Sequence, residues 1–389
     1  MSVPIDSQEL ATPRLSGESQ GIHSGSSKGR IRGLDSLRGL AAFGVMLFHY
    51  SFMYDVQYGF KEARTFQFGK GVYGVQLFFL ISGFVIFMTV EKTRRPIDFV
   101  ITRFARLYPS YWLALTLTTL AVIFWPGPEM SSIGLGRLAR RAIANLMMFQ
   151  GWFGVTPIDG VYWTLQIELT FYVIMFLLLC TKNLDKTVLV LTALVFLGVV
   201  QSLCSPWFNH SWAGRVRSIL ALDYLHILLI GVLLFQLRRG FRLDYLVLIA
   251  LLILVPFSQR RVYQNPPEEV LVTAVFTVIV FLATTNRLPW LEHKSLVFLG
   301  TISYTLYLIH NEIGQRLIYM LDRRHVNHDL AIVVTIVSII VLASAMSFLV
   351  EQPAIRVIRQ LTGRSNRSDK VDDSPTVIAP GTSPSQTVG

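Results

Sequence analysis

The sequence has few charged residues and very few cysteines, and each shortage excludes a class of protein. Charged side chains make up only 15% of the 389 residues, whereas 52% of the residues are hydrophobic. A soluble domain of this length cannot bury so much apolar surface, so most of the chain is expected to lie in lipid. The two cysteines, Cys180 and Cys204, are far apart and each lies in or beside an apolar segment. Neither a disulfide scaffold nor a zinc site is therefore indicated, and no metal is expected.

Both terminal segments lack the long apolar runs of the middle of the chain. Residues 1–30 are polar and rich in Ser and Gly, and residues 358–389 have the same character. Neither segment can bury enough surface to fold, and the first has no apolar core of the kind a secretory signal needs. We expect two disordered cytoplasmic tails around a membrane domain at 31–357, with no appended soluble domain, so that any chemistry falls to the membrane part.

Long apolar runs fill the region between the tails. A helix that crosses a bilayer core about 30 Å thick needs roughly 20 apolar residues, and about ten segments of the sequence meet this length criterion. Their cores are 34–54, 71–90, 108–125, 161–180, 187–204, 219–237, 243–257, 269–285, 295–315 and 330–350. The predicted fold is an all-α polytopic membrane protein with about ten transmembrane helices.

The positive charge is distributed as in a membrane protein and not as in a nucleic-acid-binding protein. The formal net charge of +11 comes from short basic clusters between apolar runs. Such clusters set orientation in the membrane, and a modest excess on one side together with an even number of spans predicts both termini in the cytoplasm. We expect a multi-pass protein of a bacterial inner membrane that contacts membrane lipids and no nucleic acid.

Two ionisable side chains, Arg38 and His49, fall within the first predicted span. Their separation of eleven positions corresponds to about three full helical turns, so both are expected on one helix face about 16 Å apart. An arginine can hold a phosphate or carboxylate, and a histidine can take a proton from an attacking hydroxyl. An arginine near a helix end can also snorkel to lipid headgroups, and a lone intramembrane histidine can serve only helix packing.

The fourth span places Trp163, Glu168 and Tyr172 in an otherwise apolar helix. Glu168 and Tyr172 are four positions apart and share a face. Glu168 could orient the histidine, accept a hydrogen bond from a sugar hydroxyl, or be neutral through burial. Trp163 is also explained by the aromatic belt at a membrane interface.

Further candidates lie in the second and third spans. The Ser82-Gly83 pair marks a place where helices can approach closely, and nothing in the sequence makes Ser82 a nucleophile. Arg103 and Arg106 are predicted on the cytoplasmic side, before a break at Tyr108-Pro109. They suit the entry of a phosphate-bearing donor, although ordinary positive-inside topology also explains them.

The later spans contribute Asp223, His226, His310, Glu312 and Glu351. Asp223 and His226 are three positions apart and could simply satisfy each other. His310 and Glu312 are expected near the non-cytoplasmic mouth, where water would solvate them at little cost.

These motifs resemble those of a known family, the acyltransferase-3 family of integral membrane acyltransferases. The first matching element is LDSLRG, which begins at Leu34; its Arg38 is followed, after ten residues, by His49. Five further elements follow in the order that the family has them. These are GVQLFFLISGF from Gly74, RFARLYPSYW from Arg103, WTLQIELTFY from Trp163, GTISYTLYLIH from Gly300 and Glu351-Gln-Pro353. The matching elements span roughly residues 31 to 357. Thr164 stands where the family commonly has Ser.

The resemblance implies a ten-span acyltransferase that moves an acyl group, in the first place acetyl, from cytoplasmic acyl-CoA to a hydroxyl of a cell-surface or secreted carbohydrate, with His49 as the general base. It implies that His49 and Arg38 are essential, followed by Glu168, Arg103 and Arg106, with Trp163, Tyr172, Ser82 and His310 as substrate-binding candidates. No permanently bound cofactor is expected, since acyl-CoA, in the first place acetyl-CoA, is the donor substrate. A separate extracytoplasmic partner could complete the transfer.

The rival prediction is a transporter or flippase for a glycan or lipid-linked precursor, which also has about ten spans and buried charges. The absence of a visible internal repeat and the ordered motifs count against it. The sequence does not encode the acceptor sugar or hydroxyl, the choice of acetyl or succinyl, or whether an acyl-histidine forms.

Overall fold

The described residues form helices joined by short turns. The computed structural model describes residues 31–59, 67–125, 134–204, 211–259 and 262–362, and no strand occurs among them. The helices are α1 Arg32–Phe48, α2 Tyr54–Tyr58, α3 Gly74–Glu91, α4 Pro96–Phe124, α5 Leu135–Asn145, α6 Trp163–Cys180, α7 Thr187–Cys204, α8 Ser211–Ile219, α9 Leu225–Arg239, α10 Leu243–Ile253, α11 Pro266–Thr284, α12 Lys294–Ile309, α13 Glu312–Asp322, α14 His328–Met346 and α15 Gln352–Leu361. The predicted tail at 1–30 lies outside the described residues, and α15 enters the segment predicted as the second tail.

Six helical segments of the described chain are long and apolar enough to cross a membrane. They are Gly69–Glu91, Pro96–Phe124, Gly160–Cys180, Leu184–Cys204, Pro266–Thr284 and His328–Leu361. Two shorter apolar helical segments, Leu243–Phe257 and Lys294–Ile309, accompany them. The chain is therefore a multi-pass helical membrane protein, and the number of about ten spans stays a prediction.

Two local predictions about helix boundaries are wrong. The helix α4 runs without a break from Pro96 to Phe124 and contains Pro109. Proline removes one backbone hydrogen-bond donor, but the residues before and after Pro109 remain helical, so the helix is continuous. The predicted span 295–315 instead divides into α12 and α13, which are separated by a turn at His310 and Asn311.

Glycine at two helix crossings lets the central helices come into backbone contact. A Cβ on Gly39 of α1 would lie 2.5 Å from the backbone nitrogen of Gly300 in α12. A Cβ on Gly83 of α3 would lie 2.0 Å from the carbonyl oxygen of Leu228 in α9. Small residues permit such close approach between membrane helices. The expected close packing at Ser82-Gly83 is therefore confirmed, and α1, α3, α9 and α12 form the centre of the bundle.

Two π-helical turns interrupt the regular helices. One covers His49–Met53, directly after α1, and the other covers Ser347–Glu351, directly after α14. A π turn inserts an extra residue into the helical repeat and so changes the direction of the side chains that follow; such turns are frequent at functional sites. Each of these two turns contains an ionisable residue, His49 in the first and Glu351 in the second.

Candidate active site

His49 contacts a second histidine that is distant in the sequence. The Nε2 atom of His310 lies 3.2 Å from Nδ1 of His49, and the ring centroids are 4.9 Å apart. His310 occupies the turn after α12 and is fully buried, whereas His49 is partly exposed. Tyr50 fixes the same turn, because its hydroxyl donates to the His310 carbonyl oxygen at 2.8 Å. The pair thus joins the end of α1 to the end of α12.

The backbone around the two histidines determines which nitrogen carries each proton. Nδ1 of His310 lies 2.8 Å from the carbonyl oxygen of Tyr307, which can only accept, so this nitrogen is the protonated one in neutral His310. The Nε2 atom of His310 is then an acceptor for the proton on Nδ1 of His49. The same Nδ1 atom of His49 lies 2.9 Å from the Val45 carbonyl oxygen. The remaining lone pair is on Nε2 of His49, which makes no hydrogen bond to any residue that the structure describes.

A small cavity of about 30 Å³ lies beside this pair and contains Arg38. Its polar lining comes from Arg38, Ser82, Thr164 and Glu168, and its apolar lining includes Phe78, Phe79, Leu165 and Tyr307. Tyr307 connects the cavity to the histidines: its hydroxyl accepts from the Thr164 hydroxyl at 2.9 Å, and its carbonyl binds His310. His49 is not among the lining residues, so the structure does not place Arg38 and His49 in one cavity.

Three arginines surround Glu168 and Tyr172. The carboxylate of Glu168 lies within electrostatic range of Arg38, Arg103 and Arg106, and it accepts a hydrogen bond from Tyr172. The prediction that Glu168 and Tyr172 share a helix face is therefore confirmed. Among the described residues no carboxylate forms an ion pair with any of these arginines, and Nε of Arg38 and of Arg103 is buried without a partner. The group therefore retains N–H donors that an anion can use.

The two arginines of α4 differ in accessibility. Arg103 is 7% exposed, and its guanidinium lies over the rings of Tyr172 and Phe99 at 5.3 and 5.4 Å. Arg106 is partly exposed and lies within electrostatic range of Glu351, the buried last residue of the second π turn. The arginines expected at a surface entry site thus belong to the interior, and Arg106 is the more accessible of the two. We call this part of the bundle the Arg106 end, and the opposite part the His49 end.

Three further expectations about polar residues are corrected. His310 is buried and not solvated, because the turn after α12 folds it onto α1. Glu168 lies beside the arginines and has no contact with His49, so the structure does not support a role in orienting that imidazole. Asp223 pairs with Arg217 and not with His226, since α9 begins only at Leu225 and leaves Asp223 in the preceding turn.

Asp159 is a residue of the site that the sequence did not reveal. Its buried carboxylate accepts from the backbone N–H of Val161 and of Glu312, at 3.1 and 3.0 Å, and from the Asn311 side chain at 2.8 Å. It therefore holds the start of the α6 region against the turn that carries His310. Its only sequence signal is its place just before Gly160 and the predicted fourth span.

No group of three or more His, Cys, Asp or Glu side chains within the described ranges is arranged to hold a metal ion. Trp163 is exposed at the first turn of α6, and its ring makes edge and tilted contacts with the rings of Phe79 and Tyr224. The chemistry that the site can perform therefore depends on its histidines, arginines and carboxylates.

Comparison with known proteins places this arrangement in a family. A family model described as an acyltransferase domain matches residues 31–350. A Staphylococcus aureus (strain COL) protein named "Putative O-acetyltransferase" is 25% identical over 323 residues, which are 72% of this chain and 50% of that protein. "Nodulation protein 10" of Rhizobium leguminosarum bv. viciae is 28% identical over 167 residues, 39% of this chain and 45% of that protein. "Putative membrane-bound transacylase BcsY" of Komagataeibacter xylinus is 23% identical over 299 residues, 73% of this chain and 72% of that protein.

The apolar helices and the enclosed ionisable groups define a polytopic membrane protein with a polar interior site. The family match covers most of the chain, and the chain belongs to the acyltransferase-3 family. It spans about half the length of the staphylococcal relatives it matches. No solved structure matches it.

Proposed function

We propose that this chain is a membrane acyltransferase that moves an acyl group, in the simplest case acetyl, from cytoplasmic acyl-CoA to a hydroxyl of a cell-surface or secreted carbohydrate. Family membership supports the reaction class, as do relatives that are named as an O-acetyltransferase and a membrane-bound transacylase. The observation that carries the mechanism is the histidine pair, because its hydrogen bonds leave a free lone pair on Nε2 of His49.

In the proposed reaction, His49 acts as a general base. Its Nε2 takes the proton of the acceptor hydroxyl while the hydroxyl oxygen forms a bond to the thioester carbonyl carbon. The tetrahedral intermediate then collapses, the carbon–sulfur bond breaks, and the CoA thiolate takes the proton from the His49 imidazolium. The products are an O-acyl ester and free CoA, and both histidines return to their starting protonation states.

The arginines hold the donor in this scheme. Arg38 lines the cavity and can donate two hydrogen bonds in fork geometry to an anionic group of the donor. Arg106 is more accessible than Arg103, and it binds a phosphate of CoA at the Arg106 end of the bundle. Glu168 lies among the arginines and limits their mutual repulsion.

Replacing His49 tests the proposed base. In a deletion strain, expression of the His49→Gln chain should leave surface glycans without the acyl group that the wild-type chain restores, as measured by mass spectrometry. The matched control is His328→Gln, because His328 is also a partly buried histidine but lies at the start of α14, where it bonds Asp322. Acylation that persists in membrane-inserted His49→Gln protein would refute the assignment.

Donor binding separates the proposal from transport. The purified full chain in lipid nanodiscs should bind labelled acetyl-CoA, and Arg106→Gln should weaken that binding by about tenfold through loss of one charge-assisted contact. Arg287→Gln is the control, since Arg287 is exposed at the surface. A glycan transporter has no need of acetyl-CoA, so absence of binding by the wild-type chain would favour the rival class.

A further inference from the structure

A continuous group of aromatic rings lies next to the cavity at the His49 end of the bundle. We call Phe79, Trp163, Tyr224 and Tyr263 the aromatic wall. The ring of Trp163 lies 6.2 Å from Phe79 and 5.1 Å from Tyr224, and Tyr224 lies 5.4 Å from Phe79 and 6.2 Å from Tyr263. The wall comes from α3, α6, the turn before α9 and the turn before α11, so four distant parts of the chain build it.

The wall is partly open and not a filled core. Trp163 is 38% exposed and Tyr224 is partly exposed, whereas Phe79 and Tyr263 are buried behind them. The Tyr224 hydroxyl forms no hydrogen bond with the described part of the chain, although the Tyr263 hydroxyl donates to the Asp223 carbonyl oxygen at 3.0 Å. The surface therefore offers two ring systems and one free hydroxyl.

A carboxylate with a free oxygen lies near the wall. Glu269 is partly exposed and within electrostatic range of both Tyr224 and Tyr263. Its Oε2 accepts a hydrogen bond from the side-chain amide nitrogen of Gln76. The amide oxygen of Gln76 in turn accepts from the Thr273 hydroxyl at 3.2 Å. The second carboxylate oxygen, Oε1, has no hydrogen-bond partner within the described ranges. The two contacts of Gln76 hold Glu269 in position while Oε1 stays available as an acceptor.

Phe79 and the start of α6 connect the wall to the reaction cavity. Phe79 belongs to the wall and lines the cavity, and Thr164 and Leu165, which follow Trp163 directly, line it as well. A molecule lying on the wall therefore has one edge beside the cavity that contains Arg38. Gln76 lies one helical turn before Phe79 on α3, so the polar and aromatic parts are fixed by the same helix.

We infer that the aromatic wall together with Glu269 is the acceptor subsite and that it takes a neutral pyranose ring. This inference rests on the proposed function for its place in the reaction. A pyranose has an apolar C–H face that packs on aromatic rings and a rim of hydroxyls that donate to a carboxylate. A site with apolar walls and a few fixed polar groups matches both features.

An interfacial belt residue would not require these polar partners. A tryptophan that only anchors the protein at the membrane surface needs lipid headgroups beside it, and a carboxylate beside lipid tails carries a cost. Here the exposed indole, the free tyrosine hydroxyl and the open carboxylate oxygen occur in one place. The combination favours a ligand with one apolar face and several hydroxyl groups.

Saturation-transfer NMR on the full chain in nanodiscs tests the subsite without any acyl transfer. The probes are the methyl glycosides of glucose, galactose, mannose and rhamnose, supplied together. The wild-type chain should transfer saturation to the ring C–H protons of at least one of them, and Trp163→Ala and Glu269→Gln should each reduce that signal by about fivefold or more. The control is Trp290→Ala, because Trp290 is exposed in the turn before α12, which is bonded to the start of α1 through Ser36 and Leu291.

The outcomes distinguish the subsite from the proposed chemistry. His49→Gln should keep the pyranoside signal, and Trp163→Ala should keep the binding of labelled acetyl-CoA, which also shows that this variant is folded. No signal from any probe with the wild-type chain, or equal losses in Trp163→Ala and Trp290→Ala, would overturn the subsite. Pyranoside binding by a wild-type chain that transfers no acyl group would instead contradict the proposed function and leave the subsite standing.

Discussion

His310 and His49 form one hydrogen-bonded unit, so a change in either residue alters the other. His310 accepts the Nδ1 proton of His49 and thereby keeps Nε2 of His49 free. We predict that His310→Ala lowers kcat of acyl transfer by about 100-fold with little change in the KM for acetyl-CoA, because the general base is present but wrongly protonated or turned. Steady-state kinetics on reconstituted protein measures both constants.

The conservative variant separates positioning from packing. His310→Gln keeps an acceptor near Nδ1 of His49 and should recover part of the lost kcat, whereas a residue needed only for packing would show no such partial rescue. A rise in the KM for acetyl-CoA with unchanged kcat would instead assign His310 to donor binding.

The sequence predicts Arg38 and His49 as candidate site residues but does not show which residues lie between them in the fold. The regular helix α1 continues from Arg32 to Phe48, as the spacing argument assumed. The connection depends on Tyr307 and His310, which come from a helix more than 250 positions later and which α1 meets only after folding. A pattern of apolar residues along one helix contains no information about that pairing, although Tyr304, Tyr307 and His310 recur at helical spacing and signal a polar helix face.

At the scale of elements, the crossing of α3 and α9 depends on the absence of a side chain at Gly83. A methyl group there would meet the Leu228 carbonyl, so the helices must separate. We predict that Gly83→Ala lowers the stability of the solubilised protein by about 1–3 kcal/mol, the usual range for overpacking. Gly136→Ala in α5 is the control, because nothing lies within 4 Å of its added Cβ. Thermal unfolding in detergent compares them, and equal melting temperatures would show that α3 and α9 tolerate wider spacing.

Asp159 makes the junction between the α6 region and the α12–α13 turn sensitive to pH. Burial, with a smaller contribution from the Glu312 carboxylate, raises the pKa of Asp159 from its usual 3.8 to about 7. The folded state therefore holds a proton that the unfolded state releases above pH 3.8. Stability linked to this group is fully present below the usual pKa and is lost as pH rises through about 7.

Replacing Asp159 by Asn should remove this dependence. The melting temperature of the wild-type protein minus that of Asp159→Asn is predicted to fall between about pH 4 and pH 7 and to stay level above it. Asp185→Asn, at an exposed position, is the control. A difference that rises with pH would show that the folded state favours ionised Asp159.

The helical elements were predicted better than their ends. Long apolar runs gave the spans that became α3, α6, α7, α11 and α14, since length and hydropathy decide membrane insertion. The boundaries at Pro109 and at His310 were wrong, because a proline can remain inside a long helix and because the turn after α12 is fixed by Asp159 from another part of the chain. Such contacts between distant segments are invisible in a local pattern.

For the whole molecule, the two proposed substrates lie at different ends of one bundle. The arginines that suit a phosphate-bearing donor are at the Arg106 end, and the aromatic wall and the histidines are at the His49 end. The cavity between them is small, about 30 Å³. The arrangement favours a donor that extends its thioester into the bundle while the acceptor approaches from the other end.

Transfer of label by the reconstituted full chain shows whether Nε2 of His49 is the general base. Labelled acetyl-CoA is supplied together with the glycan fraction of the deletion strain, and label in the glycan is measured for the wild-type chain, His49→Gln and His328→Gln. We predict that all three bind acetyl-CoA, that the wild-type and His328→Gln chains label the glycan, and that His49→Gln transfers at least about 100-fold more slowly. Transfer by His49→Gln at the wild-type rate would show that His49 is not the general base.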